Sequence, residues 1–423
     1  MSLILDMSAS QNSSRWRWVV ACIVTMTCGI AVIGAWSGIS THQTMPVGVP
    51  TDDYKAAKKA FEKAHKYTAD RNDILQTLAE RAIADKRLET AANCFAMIPS
   101  THPTYGRMAR YGQAVTLEAL HRAVDAEQQL RELISLESVS RKIKPEYLVY
   151  ARQRLRHILE TELRFEERHQ LLRGVIERGE EQSYEPIVAC FPSLTKWNCT
   201  DAILWIEHFH ANNPEDPCLN VALGRFRTAQ GRLTEAKEIL ESVLRRDPAN
   251  LPALAALLAC LRESDNPEEL TRIFQSLPPQ STEDPWQLLL QRGALSLQND
   301  NPAAAATAYE QLLKKDRTCI EAWQGLAQAT RLLDDSRKDR ALKMSGALGR
   351  IQSHLGKAIQ EPTDASSFLA VAHECAEVSL NREGAIMTRC AQRLLPRDPE
   401  VLSAVKLFRE RLATDHEQPL LGK

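Results

Sequence analysis

Two short stretches contain residue types that could support catalysis or cofactor binding. His373-Glu374 begins the His-Glu-x-x-His pattern, in which two histidines one helical turn apart bind zinc. Glu377 stands where the second histidine is needed, so a zinc-protease site is not expected. Gly356-Lys357 resembles the end of a phosphate-binding loop, but the upstream glycines are missing. We therefore predict neither a cofactor nor a metal ion at these positions.

Titratable residues also gather in the middle of the chain. His208 and His210 lie two residues apart, and side chains at that spacing on a helix point to different faces, so they are not expected to chelate a metal together. An enzyme with its site between residues 140 and 213 remains an alternative. The candidate catalytic side chains of such a site would be His157, Glu160, Glu162 and His169. The absence of a complete catalytic pattern favours a protein that is not an enzyme.

The cysteines give no metal or redox motif. The chain has 10 cysteines and no Cys-x-x-Cys pair, so a zinc or thioredoxin-type site is not expected. Those inside helical patterns are interpreted as small hydrophobic residues. Cys190 and Cys199 flank a loop that contains proline, and a disulfide between them is possible only in an oxidising compartment.

Composition points to helices and argues against binding of nucleic acid. The 423 residues carry 53 Lys+Arg and 54 Asp+Glu, so there is no basic excess to neutralise phosphates. Aromatic residues make up only 6%, and strand-like runs of Val, Ile, Thr and aromatic residues are nearly absent beyond the N-terminus. We predict an all-α fold.

An apolar segment near the N-terminus predicts a membrane anchor. No charged residue occurs between Trp18 and Thr41, and residues 18–36 are long enough to span a bilayer as one helix. Trp16, Trp18 and Trp36 bracket this segment, as expected of side chains at a membrane interface. A cleavable signal peptide and a buried soluble helix are the alternatives.

The flanking residues predict how the segment would be oriented. Arg15 and Arg17 favour a cytoplasmic position for the short tail 1–17, and no basic residue follows the span until Lys55. The bulk of the chain is therefore expected outside the cytoplasm. Residues 37–51 contain two glycines and two prolines without helical periodicity, which predicts a flexible linker.

A pattern of about 34 residues recurs from Pro217 onward. Each period begins with a small or apolar residue. A second small or apolar residue and then a large apolar residue follow in the second half of the period. The first set is Gly224, Leu258, Gly293 and Ala327, the second is Ala236, Leu270 and Ala305, and the large residues are Leu240, Phe274 and Tyr309. This period equals the length of one helix–turn–helix unit.

These positions resemble the tetratricopeptide repeat family, in which small residues at positions 8 and 20 let two helices cross closely. The strongest matches are Leu223, Gly224, Ala236, Leu240 and Pro248 in one unit, and Leu289, Gly293, Ala305, Tyr309 and Leu312 in another. An early unit matches with Leu75, Leu78, Ala79, Leu88, Ala91, Phe95 and Ile98, and a later one with Trp323, Leu326 and Ala327. The resemblance implies an α-α superhelix of stacked helical hairpins.

Not every part of the chain fits the repeat. Residues 52–213 are expected to form a partly degenerate helical-repeat segment, residues 214–413 the main array, and residues 414–423 a tail. Residues 183–213 are interpreted as a poorly matching hairpin. Steps of three and four from Ala341 to Ile359 predict a long amphipathic helix as the displaced second helix of the Trp323 unit.

The resemblance also implies a binding surface. In this family the first helix of each unit lines a concave groove, and by that correspondence the groove residues here include Arg225, Arg262, Gln287, Gln324, Gln328 and Arg331. The arginines could bind a carboxylate or phosphate of an extended partner. The resulting hypothesis is a membrane-anchored adaptor for a protein or peptide. A self-associating structural protein of the cell envelope is the alternative.

Overall fold

We analysed the chain in a computed structural model. It describes residues 55–56, 58–59, 63, 70–135, 145–177, 185–194, 199–264 and 266–414. All of them belong to one compact unit, residues 46–423. The predicted tail 1–17, span 18–36 and linker 37–51 lie outside these residues. Within the described ranges the regular structure is helical, and no helix there combines the length and apolar character needed to cross a bilayer.

Nineteen helices have defined bounds in the described residues. They are α1 (Arg71–Ala84), α2 (Leu88–Ala96), α3 (Gly106–Ala119), α4 (Ala123–Ser135), α5 (Pro145–Thr161), α6 (Phe165–Glu177), α7 (Glu185–Cys190), α8 (Cys199–Asn212), α9 (Pro217–Ala229), α10 (Leu233–Arg246), α11 (Leu251–Glu263), α12 (Pro267–Gln275), α13 (Trp286–Gln298), α14 (Pro302–Lys315), α15 (Ile320–Leu332), α16 (Arg337–Gln360), α17 (Ala365–Glu377), α18 (Asn381–Leu394) and α19 (Pro399–Thr414).

The helices form a solenoid of antiparallel hairpins. The first helices of four consecutive hairpins begin at Pro217, Leu251, Trp286 and Ile320, which are 34 or 35 residues apart. Each first helix packs on the second helix of its own hairpin. The second helices α10, α14 and α16 pack on the hairpin that follows, and next to the short helix α12 the first helices α11 and α13 pack on each other. The predicted all-α repeat architecture is therefore confirmed for this part of the chain.

The sequence determines where several of these helices begin. Asp216 accepts a hydrogen bond from the Leu219 backbone N–H (2.9 Å), and Pro217 occupies the first helical position of α9. Asn301 accepts one from the Ala304 N–H (3.1 Å) in the same way at the start of α14. A short polar cap followed by proline satisfies a free backbone donor and presets the helical φ angle.

The turns inside the hairpins share one backbone conformation. Seven of them pass through a residue of positive φ, which reverses the chain after the first helix. Only one of the seven is a glycine. These residues are Lys86, His121, Leu163, Gly231, Asp300, Asp334 and Ser379. The turn at Leu163 shows that α5 and α6 also form a hairpin, although that region matches the repeat pattern poorly.

Close contacts between small and large residues explain the repeat pattern. A Cβ atom added to Gly224 would lie 2.7 Å from Leu240 Cδ2, and one added to Gly293 would lie 2.5 Å from Tyr309 Cε1. Leu240 and Tyr309 are both buried at these crossings. The hairpins can close only because these glycines leave room for the large side chain of the second helix.

The long helix predicted after Asp334 is confirmed. Helix α16 has 24 residues and buries Ala341, Met344, Leu348, Ile351 and Leu355. Ile359, the last predicted apolar position, is exposed. The extra length delays the start of α17 to Ala365, so the regular spacing is lost there.

The predicted hairpin over residues 183–213 is wrong. Helix α7 packs against α6 and α18, whereas α8 packs against α9 and α5. The chain therefore leaves the stack at α7 and returns to it with α8. Cys190 is an unbridged, buried thiol within the C-terminal core, and the side chain of Cys199 lies outside the described set.

Candidate partner-binding pocket

The predicted groove residues occupy four first helices, and the structure does not bring all of them together. Arg225 lies on α9, Arg262 on α11, Gln287 on α13, and Gln324, Gln328 and Arg331 on α15. Gln324, Gln328, Arg331 and Arg262 are exposed, while Arg225 and Gln287 are half-buried. Arg225 lines a pocket together with residues of a neighbouring hairpin.

This pocket, which we call the α9–α11 pocket, has a volume of about 520 Å³. It lies between α9, the start of α10 and α11. Its lining residues are Arg225, Thr228, Ala229, Gly231, Leu233, Ala256, Ala259 and Glu263. Four are alanine or glycine, so a ligand can approach the helix backbones closely. Arg225 and Glu263 add one positive and one negative charge to this small-residue surface.

Arg225 is held in place by a turn of the preceding hairpin. Its Nη1 donates a hydrogen bond to the Leu163 carbonyl oxygen (3.0 Å), and its guanidinium carbon lies 5.7 Å from the centre of the Phe165 ring. These contacts fix the planar group at the pocket edge before any ligand binds.

The neighbouring groove position, Arg262, has a different environment. Its Nη1 donates a hydrogen bond to Gln291 Oε1 (2.9 Å) on α13, so it connects two hairpins instead of lining the pocket. Sequence reasoning missed Glu263, the residue after Arg262, and Leu233 at the start of α10. Glu263 follows the expected groove position by one residue on α11, which is the only sequence signal that could have indicated it.

A second pocket, of about 590 Å³, surrounds a cluster of charges between α4 and α9. Arg164 contacts carboxylate oxygens of three glutamates: Glu127 (2.6 Å), Glu162 (2.7 Å) and Glu167 (2.7 Å). Burial raises the pKa of Glu162 to about 7 despite the attraction of Arg164. Since each carboxylate bonds the same guanidinium, the cluster joins α4 to the α5–α6 turn.

The other residues of the alternative enzyme site are held by separate neighbours. Glu160 and His169 are buried instead of spread over solvent, and so is Glu162, so solvent exposure does not argue against that alternative. Glu160 accepts a hydrogen bond from Arg156 Nη1 (3.3 Å). The His157 ring meets Trp205 edge-on at 5.9 Å, whereas the His169 ring meets Trp286 at 5.6 Å. These contacts do not direct the four side chains to one pocket.

The remaining candidates for chemistry also have separate partners. The His208 ring stacks on His121 at 4.6 Å, whereas His210 Nε2 lies 3.2 Å from Asn220 Oδ1. Glu374 pairs with Arg350 at 2.8 Å on the surface. Across the described ranges, no three or more His, Cys, Asp or Glu side chains are placed to hold a metal ion.

Residues 207–292, from α8 to α13, match the family model described as tetratricopeptide repeat. This segment is similar to tetratricopeptide repeats. The matched segment includes all the residues that line the α9–α11 pocket. The pocket therefore lies within the matched segment, between two consecutive first helices and the start of α10. No curated protein matches the sequence.

Several solved helical-repeat structures are similar over most of their length. Yeast Tom70 is 11% identical, with 88% of this chain and 95% of that chain covered and a TM-score of 0.29. A human IFIT1 dimer with PPP-AAAA is 14% identical, with 83% and 96% covered and a TM-score of 0.29. The C-terminal part of a repeat protein from Cytophaga hutchinsonii is 12% identical, with 70% and 99% covered and a TM-score of 0.27. At these TM-scores the likenesses add nothing to the family match.

Proposed function

We propose that this chain is an adaptor that binds a partner protein or peptide in the α9–α11 pocket. The observation that carries the proposal is the position of that pocket within the matched tetratricopeptide repeats. Repeats of this kind stack into extended binding surfaces. The alanine-lined floor admits an extended backbone or a slender side chain, and Arg225 offers hydrogen bonds to a carboxylate or carbonyl of the ligand.

Filling the pocket tests this proposal. Ala259→Trp would place a large ring in the pocket, and Glu238→Trp, which places the same ring on the exposed side of α10, is the control. Both full-length variants would be purified from cells that make the chain, and co-purified proteins would be measured by quantitative mass spectrometry. We expect Ala259→Trp to lose at least about ten-fold of a partner that Glu238→Trp retains. Identical partners for the wild type and both variants would contradict the pocket assignment.

We further propose that residues 18–36 anchor the adaptor in a membrane, with the N-terminus in the cytoplasm and the repeats on the other side. This part of the proposal depends on the uncharged segment and its flanking tryptophans and arginines. The full chain should stay in the membrane pellet after alkaline carbonate extraction, and a chain starting at residue 37 should not. A reporter fused after Lys423 that is active only in the cytoplasm would reverse the proposed orientation.

The proposal assigns no catalytic role, and it differs from self-association in one measurable respect. An adaptor should have the mass of one chain in detergent without its partner, and a self-associating envelope protein should not. The mass can be measured by light scattering, with and without residues 320–360. A multimer that needs those residues would favour the structural alternative.

A further inference from the structure

Helix α19 occupies the place of a first helix at the end of the array. It begins at Pro399, 34 residues after α17 begins at Ala365. It packs on α18 and α17, just as α11 packs on α10 and α9. Phe408 is completely covered on the side that faces α18, where it lies against Gly384. Among the described residues no second helix follows α19, so it forms half of a hairpin there.

In the complete hairpins, the second helix covers one face of the first helix. This face contains the fourth, eighth and eleventh residues of the first helix. Leu289, the fourth residue of α13, shares a core with Tyr309 and Leu312 of α14. Gly224, the eighth residue of α9, lies against Leu240 of α10. The register of this face within a first helix is therefore known from the chain itself.

The face is covered in all the first helices that have a second helix, namely α9, α11, α13, α15 and α17. The residues at the three positions are buried there, except for Trp323, which is half-buried. They are Asn220, Leu254, Leu289, Trp323 and Phe368 at the fourth position, Gly224, Leu258, Gly293, Ala327 and Ala372 at the eighth, and Arg227, Leu261, Ser296, Thr330 and Cys375 at the eleventh.

The same face of α19 is exposed to solvent. Leu402, Lys406 and Arg409 occupy the three positions, and Leu412 follows three residues later. The exposed fraction is 45% for Leu402 and 40% for Leu412, and the side chain of Lys406 is 79% exposed. We call these four residues the α19 face. The outer surface of a terminal repeat is normally polar, so two leucines in this register indicate a surface that a further helix covers.

The charges of the α19 face indicate which kind of helix fits it. The contact of Lys406 is with Glu410 of its own helix at 4.0 Å, and Arg409 has no ion pair within the part of the chain that the structure describes. Arg227, the eleventh residue of α9, shows how an arginine at this position pairs. Its Nε donates a hydrogen bond to Glu235 Oε1 of the second helix α10 at 2.8 Å. A carboxylate on a covering helix would pair with Arg409 in the same way.

The length of the α19 face sets the length of the element that covers it. Leu402 and Leu412 lie about 15 Å apart along the helix axis. The second helices α10, α14 and α18 have 14 residues each, which is enough to span this distance. Residues 415–423 are not favoured as the cover, because Pro419 would interrupt a helix formed by them. A helix of another protein is the occupant that fits the face.

We propose that the α19 face binds an amphipathic helix of a partner protein, which takes the place that a second helix has in the complete hairpins. The partner helix runs antiparallel to α19. Its aliphatic side chains pack on Leu402 and Leu412, and its carboxylates pair with Lys406 and Arg409. This site is separate from the α9–α11 pocket, so either assignment can fail without the other.

A phage-displayed library of random peptides, each as long as α10, tests the proposal on the full-length chain. The peptides bound by the wild type are compared with those bound by Leu402→Asp and by Leu342→Asp. The second variant changes an exposed leucine of α16 and is the matched control. We expect the wild type and Leu342→Asp to enrich acidic amphipathic sequences at least about ten-fold more than Leu402→Asp does. Equal enrichment by all three proteins, or enrichment of no such sequence, would overturn the proposal.

One selected peptide then tests the charges by fluorescence anisotropy. We expect it to bind the double variant Lys406→Glu with Arg409→Glu at least about ten-fold more weakly than the wild type. The same peptide with its carboxylates replaced by lysines should prefer the double variant. An unchanged preference would overturn the assigned pairing.

Two further measurements separate the partner helix from other occupants of the α19 face. A chain that ends at Thr414 should bind the selected peptide as tightly as the full chain does. Tighter binding by the shortened chain would overturn the proposal, because residues 415–423 would then be the cover. The full chain should also have the mass of one copy by light scattering. A dimer that Leu402→Asp dissociates would overturn the proposal in favour of a second copy.

Discussion

The carboxylate of Glu166 accepts a hydrogen bond from the backbone N–H of Trp286, 120 residues later in the chain, at 2.6 Å. Trp286 begins α13, and the residue at the cap position, Pro285, provides no side-chain acceptor. Helix α6 therefore caps a helix of a distant hairpin. A carboxylate at a helix N-terminus also interacts favourably with the helix dipole.

Removing this cap should loosen the start of α13. We expect Glu166→Ala to lower the free energy of unfolding by about 1–2 kcal/mol, because the Trp286 N–H would lose its acceptor. Hydrogen exchange at the Trp286 amide should accelerate in the variant. Gln170→Ala, at an exposed position on the same helix, is the control and should change neither quantity.

Two glycine substitutions should have opposite effects on stability. Gly293→Ala would push a Cβ into the Tyr309 ring at 2.5 Å, and we expect a loss of about 1–3 kcal/mol from overpacking. Gly349→Ala in the middle of α16 meets nothing within 4 Å, so it should stabilise by about 0.5–1 kcal/mol through helix propensity. Thermal melts of both variants would test this. Equal effects would contradict the proposed crossing of α13 and α14.

The same glycines explain how far the fold could be predicted from sequence. A close crossing needs a small residue on one helix and a large one on the other, so Gly224 with Leu240 and Gly293 with Tyr309 leave a pattern in the sequence. The steps of three and four from Ala341 likewise predicted α16, because one face of that helix is buried. These features depend on residues within one hairpin or one helix.

The position of residues 185–194 could not be predicted in this way. Their contacts with Asp316 and Gln352 join positions far apart in sequence, and neither leaves a local period. With three apolar anchors, residues 185–194 look like one helix of another hairpin. Only the packing of α6 and α16–α18 shows that the segment leaves the stack.

The candidate site was partly predictable for a related reason. Of the groove residues expected from the repeat pattern, Arg225 lines the α9–α11 pocket. The contact of Arg225 with the Leu163 carbonyl could not be foreseen, because it depends on how the α5–α6 hairpin packs against α9. The repeat pattern identifies a helix face but does not identify which neighbours occupy it.

Acid should weaken the contact between α6 and α13. Burial lowers the pKa of His169 to about 4, and the nearby Arg173 and Arg168 act in the same direction. Between the unfolded pKa of about 6.5 and pH 4 the unfolded chain binds more protons, so the free energy of unfolding falls as the pH falls through this window. We expect a loss on the order of 2 kcal/mol in the wild type. His169→Gln should remove most of this slope in denaturant titrations at pH 7 and pH 4.5.

Replacing Arg164, the cation of the second pocket, should lower the free energy of unfolding by an amount that depends on pH. Arg164→Gln would leave Glu127 and Glu162 buried without their shared partner, and we expect a loss of about 3–5 kcal/mol at pH 8. The loss should shrink at pH 5, because a carboxyl with a raised pKa is neutral there and needs no counter-charge. Arg131→Gln is the control: Arg131 is more exposed, and it should cost less than about 1 kcal/mol at either pH. A deficit for Arg164→Gln that does not change with pH would contradict a neutral Glu162.

Site-specific photocrosslinking tests the central claim, that a partner binds in the α9–α11 pocket, most directly. A photoreactive amino acid would replace Ala259 in the pocket or, in a separate chain, Glu238 on the exposed surface of α10, and adducts would be identified after irradiation in cells. We predict one dominant protein adduct at position 259, absent at position 238 and reduced by Arg225→Ala. The same adducts at both positions, or none at position 259 when both chains are folded, would contradict the claim.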